Sequence, residues 1–461
     1  MRMRGWPLDD WAAHVALAVP GAVCRANVER ICAAWVLIWP VECIFRSVGR
    51  GVDDEWGSSV PVEYRSRAAA WHERRANRAA RVCLPGDKPS GEYDGIVFEG
   101  MQTFASVGED GKENAMAWTK AMPANPVVAV CGATGAVGNE FLKVLHDLDF
   151  PASKVIALAS ARSAGKTLPF EGCGQVPAGD LTVQEMTPES FEGVDIALFS
   201  AGAGVSKAMR EAVVAAGAVM IDNSSAFRME DDVPLVVPEV NPGDVSWHSG
   251  VIANPNCSTI QMVVALHALE QIAPLKRVVV STYQAASGAG VAAMNELFDQ
   301  TRDYLDGKDF TPQAFSDQIA FNIIPHIDVF LDDDSTKEEW KMVVETKKIM
   351  GHPDLGVAAN CARVPVLRCH AEYVNAEFDG PITPDQAREA FAAAQGITLN
   401  DKPAENGYPM PGLLAGSDDV YVGRVRRDAS VENGISFWCV EDQIRKGAAL
   451  NAVQIAQLLL P

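Results

Sequence analysis

No CxxC pair occurs in these 461 residues, and the ten cysteines are scattered without paired spacing. That excludes a zinc-ribbon type of site and a disulfide framework, and it suits a reducing, cytoplasmic setting. Long apolar runs are also missing. The most apolar stretches, such as Ile31 to Pro40, are too short to span a bilayer. Positive charge is in deficit, with 39 Lys and Arg against 60 Asp and Glu, a formal net charge of −21. Nothing global therefore draws the chain to nucleic acid or an anionic membrane, and any bound anion must meet local Arg and Lys side chains. Internal repeats, heptad arrays and low-complexity tracts are absent. What remains is a chain that is 48% hydrophobic and long enough for two or three domains.

Two parts differ in character. Residues 1–121 hold 7 of the 10 tryptophans, and 12 arginines against 3 lysines. Their charges nearly cancel, at 15 basic and 16 acidic, whereas the remaining 340 residues carry 24 basic and 44 acidic. The first part shows no sustained alternation, and only residues 68–81 read as a short Arg-rich helix. The compact fold is therefore expected to begin at about Met122. The preceding segment is expected to be a poorly ordered extension or upstream sequence wrongly joined to the chain. A targeting peptide fits its length and its acidic residues less well.

From Pro126 the pattern is α/β. Val127 to Val130 is a short apolar strand, followed by a glycine turn and a helical run from Asn139 to Leu148. Lys154 to Ala159 and Val194 to Ser200 read as further strands. Each ends in small residues, as strands do at the ligand-facing edge of a parallel sheet. Beyond about residue 275 the strands lengthen: 277–284, 359–367, 372–378, 421–427 and 435–440. They suit a mixed or antiparallel sheet. An apolar helix, 448–460, closes the chain.

The turn after the first strand reads Gly132-Ala133-Thr134-Gly135-Ala136-Val137-Gly138. Glycine permits a tight turn and close approach of a pyrophosphate, and the helix start offers free N–H groups and partial positive charge. The spacing is GxxGxxG, so a glycine-rich turn without a ligand stays open. The second strand ends Ser160-Ala161-Arg162-Ser163-Ala164-Gly165-Lys166. An NAD site usually places a carboxylate there. An arginine with serines suits the 2′-phosphate of NADP instead.

The segment Asn254-Pro255-Asn256-Cys257-Ser258-Thr259 follows a strand (Val251, Ile252) and precedes the helix 260–271. Cys257 is thus expected in the first turn of a helix, where the dipole and free N–H groups favour the reactive thiolate. Asn256 or Ser258 is available as the cap. Cys361 and Cys369 sit in strand-like apolar surroundings and read as core. A cysteine nucleophile needs a proton partner. His326, His352 and His370 are the candidates in the second part, and composition does not choose among them.

The stretches GATGAVG, SARSAGK, SAFRM, NPNCSTIQ, STYQAASGAG, EEWKM with ETKKI, and RVPVLRCH occur in this order. Together they resemble the aspartate-semialdehyde dehydrogenase family over about residues 126–461, and residues 1–121 have no counterpart there. The resemblance implies a Rossmann-type parallel-sheet NADP-binding domain over 122–256 and 446–461. It implies an α+β catalytic and dimerisation domain with a mixed sheet over 257–445, and a homodimer. It makes Cys257 the nucleophile, His370 the acid/base and Gln284 the group that orients the acyl intermediate. Arg363 would bind the substrate carboxylate, Glu338 its amino group, and Arg228 with Lys341 the phosphate. Ser287 and Gly288 would touch the cofactor, and Asn451 would lie on the nicotinamide side.

The reaction so implied is NADPH-dependent reduction of β-aspartyl phosphate to aspartate semialdehyde through a cysteine thioester. It supplies precursors of lysine, threonine and methionine. Taken singly, Glu338 and Lys341 at i, i+3 equally suit a surface helical pair worth ~0.2–0.5 kcal/mol. The rival enzyme is another acyl-phosphate reductase, such as N-acetyl-glutamyl-phosphate reductase. The rival of another class is a nonenzymatic NADP-binding regulator.

Overall fold

The computed structural model describes Trp118 and residues 120–461. Apart from its last positions, the expected extension over 1–121, with the helix at 68–81, lies outside the described residues. Those last positions are packed. The Trp118 ring stands 5.6 Å from the His248 ring and covers Gly250, where a Cβ would lie 2.7 Å from the indole. Lys120 Nζ donates to Asp195 Oδ1 at 2.9 Å and to the Gly217 carbonyl at 2.8 Å. The fold thus takes up the chain upstream of Met122.

The first layer is a parallel sheet. Strands β1 (Val127–Cys131) and β2 (Lys154–Ala159) flank helix α1 (Ala136–Asp147). A two-stranded antiparallel ribbon follows, β3 (Thr167–Phe170) with β4 (Gly179–Thr182). Then come β5 (Gln184–Glu185), β6 (Ile196–Phe199), helix α2 (Ala203–Ala215), β7 (Val219–Asp222) and β8 (Val251–Ala253). The sheet order is β5-β2-β1-β6-β7-β8, with every pairing parallel. Its central strands are buried on both faces, which is why they read as continuous apolar runs rather than alternations. Strand order reverses between β2 and β6 around β1, and the glycine turn opens at that switch point.

The second layer begins with α3 (Cys257–Glu270), β9 (Leu275–Gln284), α4 (Val291–Leu305), α5 (Lys337–Met350) and β10 (Gly356–Arg363). It continues with β11 (His370–Phe378), α6 (Pro384–Ala393), β12 (Ile397–Leu399), β13 (Val420–Arg427) and β14 (Gly434–Glu441). The order β10-β9-β11-β14-β13-β12 is mixed, parallel at both ends and antiparallel in the middle. A π-helical turn, Arg445–Leu450, leads into the last helix, α7 (Asn451–Leu458).

One apolar core joins the layers. It runs from Ala129, Leu158 and Phe199 of the parallel sheet, through Ile260, Val263 and Leu266 of α3, to Val280, Val374 and Phe437 of the mixed sheet. Each buried Val, Leu, Ile or Phe among them contributes about 1.5–3 kcal/mol. A second core lies on the other face of the parallel sheet, where α1 (Phe141, Leu145) meets α7 (Val453, Ile455). The chain thus returns at its end to cover the sheet with which the described fold opens.

Three expected elements differ. The strand over 359–367 stops at Arg363 because Pro365 has no N–H to give the ladder, and Val366 N–H turns back to Val364. The helix expected from Ile260 starts at Cys257 itself. The closing helix is preceded by a wider π turn.

Candidate active site

Cys257 is the first residue of α3, and Asn256 is the residue before it. The Asn256 side chain does not cap the helix. Helix α5 grips this residue instead. Asn256 N–H donates to Glu345 Oε2 at 2.6 Å, and its Nδ2 donates to Glu338 Oε1 at 2.8 Å. Its Oδ1 stays 4.0 Å from Cys257 Sγ. On the far side Gly447 lies so close that a Cβ there would sit 2.8 Å from Cys257 Cβ and 2.5 Å from Glu441 Oε1.

The expectation of a favoured thiolate is corrected here. Burial, then the carboxylates of Glu338 and Glu441, push the Cys257 thiol up to about 12, against the weaker opposite pull of Arg228. The Ser258 N–H at the helix start also lowers the thiol, but by less than burial and these carboxylates raise it. Alkylation of Cys257 in the ligand-free protein is therefore expected to rise about tenfold per pH unit across pH 7–9, without levelling. A rate that levels off near pH 7 would show a thiolate already formed.

His370 opens β11 and is fully buried. Its Nδ1 accepts the N–H of Ala285 at 3.1 Å, so the neutral ring carries its proton on Nε2. Burial and the Arg363 charge hold the ring well below the ordinary histidine range. Nε2 has no partner among the described residues. Arg363 ends β10, paired with Gln284 at the end of β9, and its Nη1 donates to the Ala285 carbonyl at 2.8 Å. Ala285 thus fixes His370 with its N–H and Arg363 with its C=O. Gly288 lies over both: a Cβ there would be 2.7 Å from Arg363 Nη1 and 3.0 Å from His370 Nε2. The neighbouring Ser287 Oγ accepts from Gln443, whose Oε1 takes the Cys369 N–H at 2.8 Å. His326 packs beside Phe330, and His352 pairs with Glu270 at 3.0 Å.

Gln284 Nε2 donates to Glu338 Oε1 at 3.1 Å. Lys341 Nζ bonds Glu338 Oε2 at 3.0 Å and Asp328 Oδ2 at 2.8 Å. Burial raises the Glu338 carboxyl, but Lys341, Asn256 and Gln284 outweigh it and hold the group below its ordinary value. Arg228 is enclosed. Its Nε donates to the Asn254 carbonyl at 3.0 Å, its Nη2 to the Asn223 carbonyl at 2.8 Å, and its Nη1 to Glu345 Oε1 at 2.9 Å. Two of its five N–H groups remain. Arg228 and Lys341 line one pocket of about 310 Å3, with Ser225, Trp340 and Glu345.

The glycine turn forms a cradle at the end of β1. Gly132 has φ 87°, and any Cβ there would strike the Ser200 carbonyl. A Cβ at Gly138 would strike the Gly132 carbonyl. Gly135 precedes α1 without a side-chain cap, so the first N–H groups, of Ala136, Val137 and Gly138, have no helical acceptor. Thr134 Oγ1 reaches Ser163 Oγ at 3.5 Å. Arg162 sits in the turn after β2, exposed and without an ion pair among the described residues. These features fit a dinucleotide with an extra phosphate.

Asn451, expected as a nicotinamide-side contact, is buried in the last helix and held by the protein. Its Nδ2 donates to the Val236 carbonyl at 3.0 Å and to Asn254 Oδ1 at 2.7 Å, and its Oδ1 accepts from Lys446 at 3.1 Å. Both polar atoms of its amide are already engaged, and it steadies the segment that leads to Cys257.

The structure thus gathers Cys257, Gln284, Glu338, Lys341, Arg228, Arg363 and His370 around the start of α3. It keeps the residues of the glycine turn, with Arg162 and Ser163, at the end of β1. Ala285 and Glu345 build the site without being singled out by the sequence, and Asn256, expected as a cap, serves instead as the anchor to α5. Glu345 was open to discovery, because it lies seven residues after Glu338 on the same buried helical face. The backbone groups of Ala285 leave no trace in residue type.

The chain matches the family model described as semialdehyde dehydrogenase, NAD binding domain, over residues 127–248. It matches that described as semialdehyde dehydrogenase, dimerisation domain, over 266–446. It is 52% identical over 337 residues to aspartate-semialdehyde dehydrogenase of Aquifex aeolicus, covering 72% of this chain and 97% of that one. A crystal structure of aspartate semialdehyde dehydrogenase II from Vibrio cholerae complexed with ASA is 46% identical. It superposes with a TM-score of 0.70 over 73% of this chain and 98% of its own. The Candida albicans enzyme with NADP gives 0.56 at 26% identity, over 73% and 98%.

Proposed function

As a member of the aspartate-semialdehyde dehydrogenase family, to which it belongs, the chain is an oxidoreductase of amino-acid biosynthesis, and we propose that it reduces β-aspartyl phosphate with NADPH through a thioester on Cys257. What carries this reading is the meeting of a part-exposed thiol, a neutral histidine with a free Nε2–H and two sets of cations at one helix start.

Arg363 binds the substrate carboxylate and Glu338 its amino group. Together they select an amino acid over an N-acylated one. The last two N–H groups of Arg228, with Lys341, hold the phosphate and balance its charge as it leaves. Cys257 sulfur bonds to the acyl carbon, the bond from that carbon to the phosphate oxygen breaks, and the phosphate departs with the thiol proton. Gln284 orients the thioester. When bound, NADPH supplies hydride to that carbonyl. His370 Nε2–H donates a hydrogen bond to the developing oxyanion, which collapses to the aldehyde as the carbon–sulfur bond breaks and its electron pair leaves on sulfur. The sulfur regains its proton from solvent.

The turn 132–138 with Thr134, Arg162 and Ser163 holds the dinucleotide, and Ser287 and Gly288 approach it from the other layer. Arg162→Ala is expected to lower the preference for NADPH over NADH by about tenfold or more, the value of a charge-assisted contact. An unchanged ratio of the two Kd values would remove Arg162 from the site.

We divide the described chain into an NADP-binding part, 122–256 with 446–461, and a catalytic and dimerisation part, 257–445. Exposed Phe298, Tyr304, Leu305, Phe321, Ile323 and Phe330 favour a homodimer through the second part. Among the described residues all six cysteines are free and no helix is long and apolar enough to cross a membrane. The free cysteines suit a reducing, cytoplasmic compartment.

The test is phosphate-dependent reduction of NADP with aspartate semialdehyde, in the full chain and in a form starting at Met122. Turnover by the full chain is expected. The shorter form should be active but less heat-stable, since it loses the Trp118 and Lys120 contacts. NADP binding without turnover would move the reading to another acyl substrate or to a nonenzymatic role.

A further inference from the structure

One buried carboxylate near the nucleophile divides its oxygens between two halves of the site. Glu345 is 1% exposed. Its Oε1 accepts from Arg228 Nη1 at 2.9 Å, and its Oε2 accepts the backbone N–H of Asn256 at 2.6 Å. The first partner is the proposed phosphate-binding cation. The second is the residue before Cys257. Glu338, two turns earlier on the same inward face of α5, takes the side chain of that same Asn256 at 2.8 Å. Helix α5 therefore holds Asn256 by side chain and backbone, and holds Arg228 with the same group that takes the backbone.

We infer that Glu345 is a positioning residue, setting the Arg228 guanidinium at a fixed place relative to the Cys257 backbone so that a bound phosphate presents its acyl carbon to the sulfur. It touches neither substrate nor sulfur, and the inference rests on the function proposed above. Three Arg228 donors are fixed, two by backbone carbonyls of Asn254 and Asn223 and one by Glu345. Only the bond to Glu345 is to a charged acceptor, hence the strongest of the three. Asn254 ties the arginine to the segment that leads to the helix, and Glu345 ties it to Asn256, the residue next to the nucleophile.

The sign of one effect separates positioning from simple charge balance. If Glu345 merely neutralised Arg228, its loss would make the pocket more positive and bind phosphate more tightly. If it positions Arg228, its loss lets the cation drift and phosphate binds less well. Glu345→Gln keeps the shape but cannot accept from both partners. The experiment measures KM for phosphate with aspartate semialdehyde and NADP saturating, and kcat per Cys257 thiol titrated. NADP Kd serves as a check on folding.

We expect KM for phosphate to rise about tenfold to a hundredfold, the range for a lost bond to a charged group. We expect kcat per thiol to fall about tenfold or more on the same grounds, with NADP Kd unchanged. A phosphate KM that stays or falls overturns the inference. Should Glu345→Gln not yield folded protein, Glu345→Asp carries the same test, since the shorter carboxylate cannot span both partners. A wild-type protein lacking the phosphate-dependent reaction removes the proposed function and this inference with it. An active wild type with an unaltered phosphate KM in the variant overturns this inference alone.

Discussion

Cys257→Ala is expected to lower turnover by at least about 10⁴-fold, the scale seen when a covalent nucleophile is removed. NADP binding should stay within a few-fold. The two effects separate because the glycine turn stands at the end of β1, held to β2 by the N–H groups of Gly132 and Ala133 on the Leu158 carbonyl. Cys257 stands at the start of α3, held by α5 through Asn256. The other five described cysteines are buried, so a thiol reagent at raised pH should lose its most accessible site in the variant. Loss of NADP binding along with turnover would mean that the sulfur is a packing group.

Gly288→Ala should lower kcat/KM about a hundredfold, the loss expected when catalytic groups move by about an ångström. The added methyl would lie 2.7 Å from Arg363 Nη1 and 3.0 Å from the His370 ring. Arg363 is buried and its Nη1 is held by the Ala285 carbonyl at 2.8 Å, so it yields only by giving up that bond. His370 cannot easily move either, because Ala285 N–H holds its Nδ1 and the ring is fully buried. Gly288 itself is exposed, so the melting temperature should hardly change. Gly243→Ala, with nothing within 4 Å of its added carbon, is the control. Full activity in Gly288→Ala would show that the loop yields and that the close approach has no bearing on the chemistry.

Much of the fold could be read from the sequence because its punctuation is strong. The apolar runs at β1 and β2, each ended by small residues, and the NPNC segment before α3 mark strand ends and a helix start. The ladder of β10 was misjudged by its apolar content, which continues past Pro365 although the pairing does not. The nucleophile's setting was harder. Position in a helix is local and favours a thiolate. Burial reverses this, helped by carboxylates that come from α5 and β14, far along the chain. Three histidines were equivalent by type, and only tertiary packing puts His370 beside Arg363. Arg228 and Asn451 were legible as polar residues near the site. That Arg228 has two N–H groups left, and that both polar atoms of the Asn451 amide are engaged, depends on carbonyls and side chains that no motif records.

The return of α7 to the parallel sheet bears on the order in which the chain can fold. Val453, Ile455 and Ala456 complete the core beneath β1, β6 and β7, yet they follow the whole mixed sheet in the chain. During synthesis that face of the sheet waits, uncovered, while the entire mixed sheet is made. The dinucleotide cradle is therefore completed after the mixed sheet although its strands are translated before it. A chain cut short by a single helix would lose the beginning of its fold rather than its end.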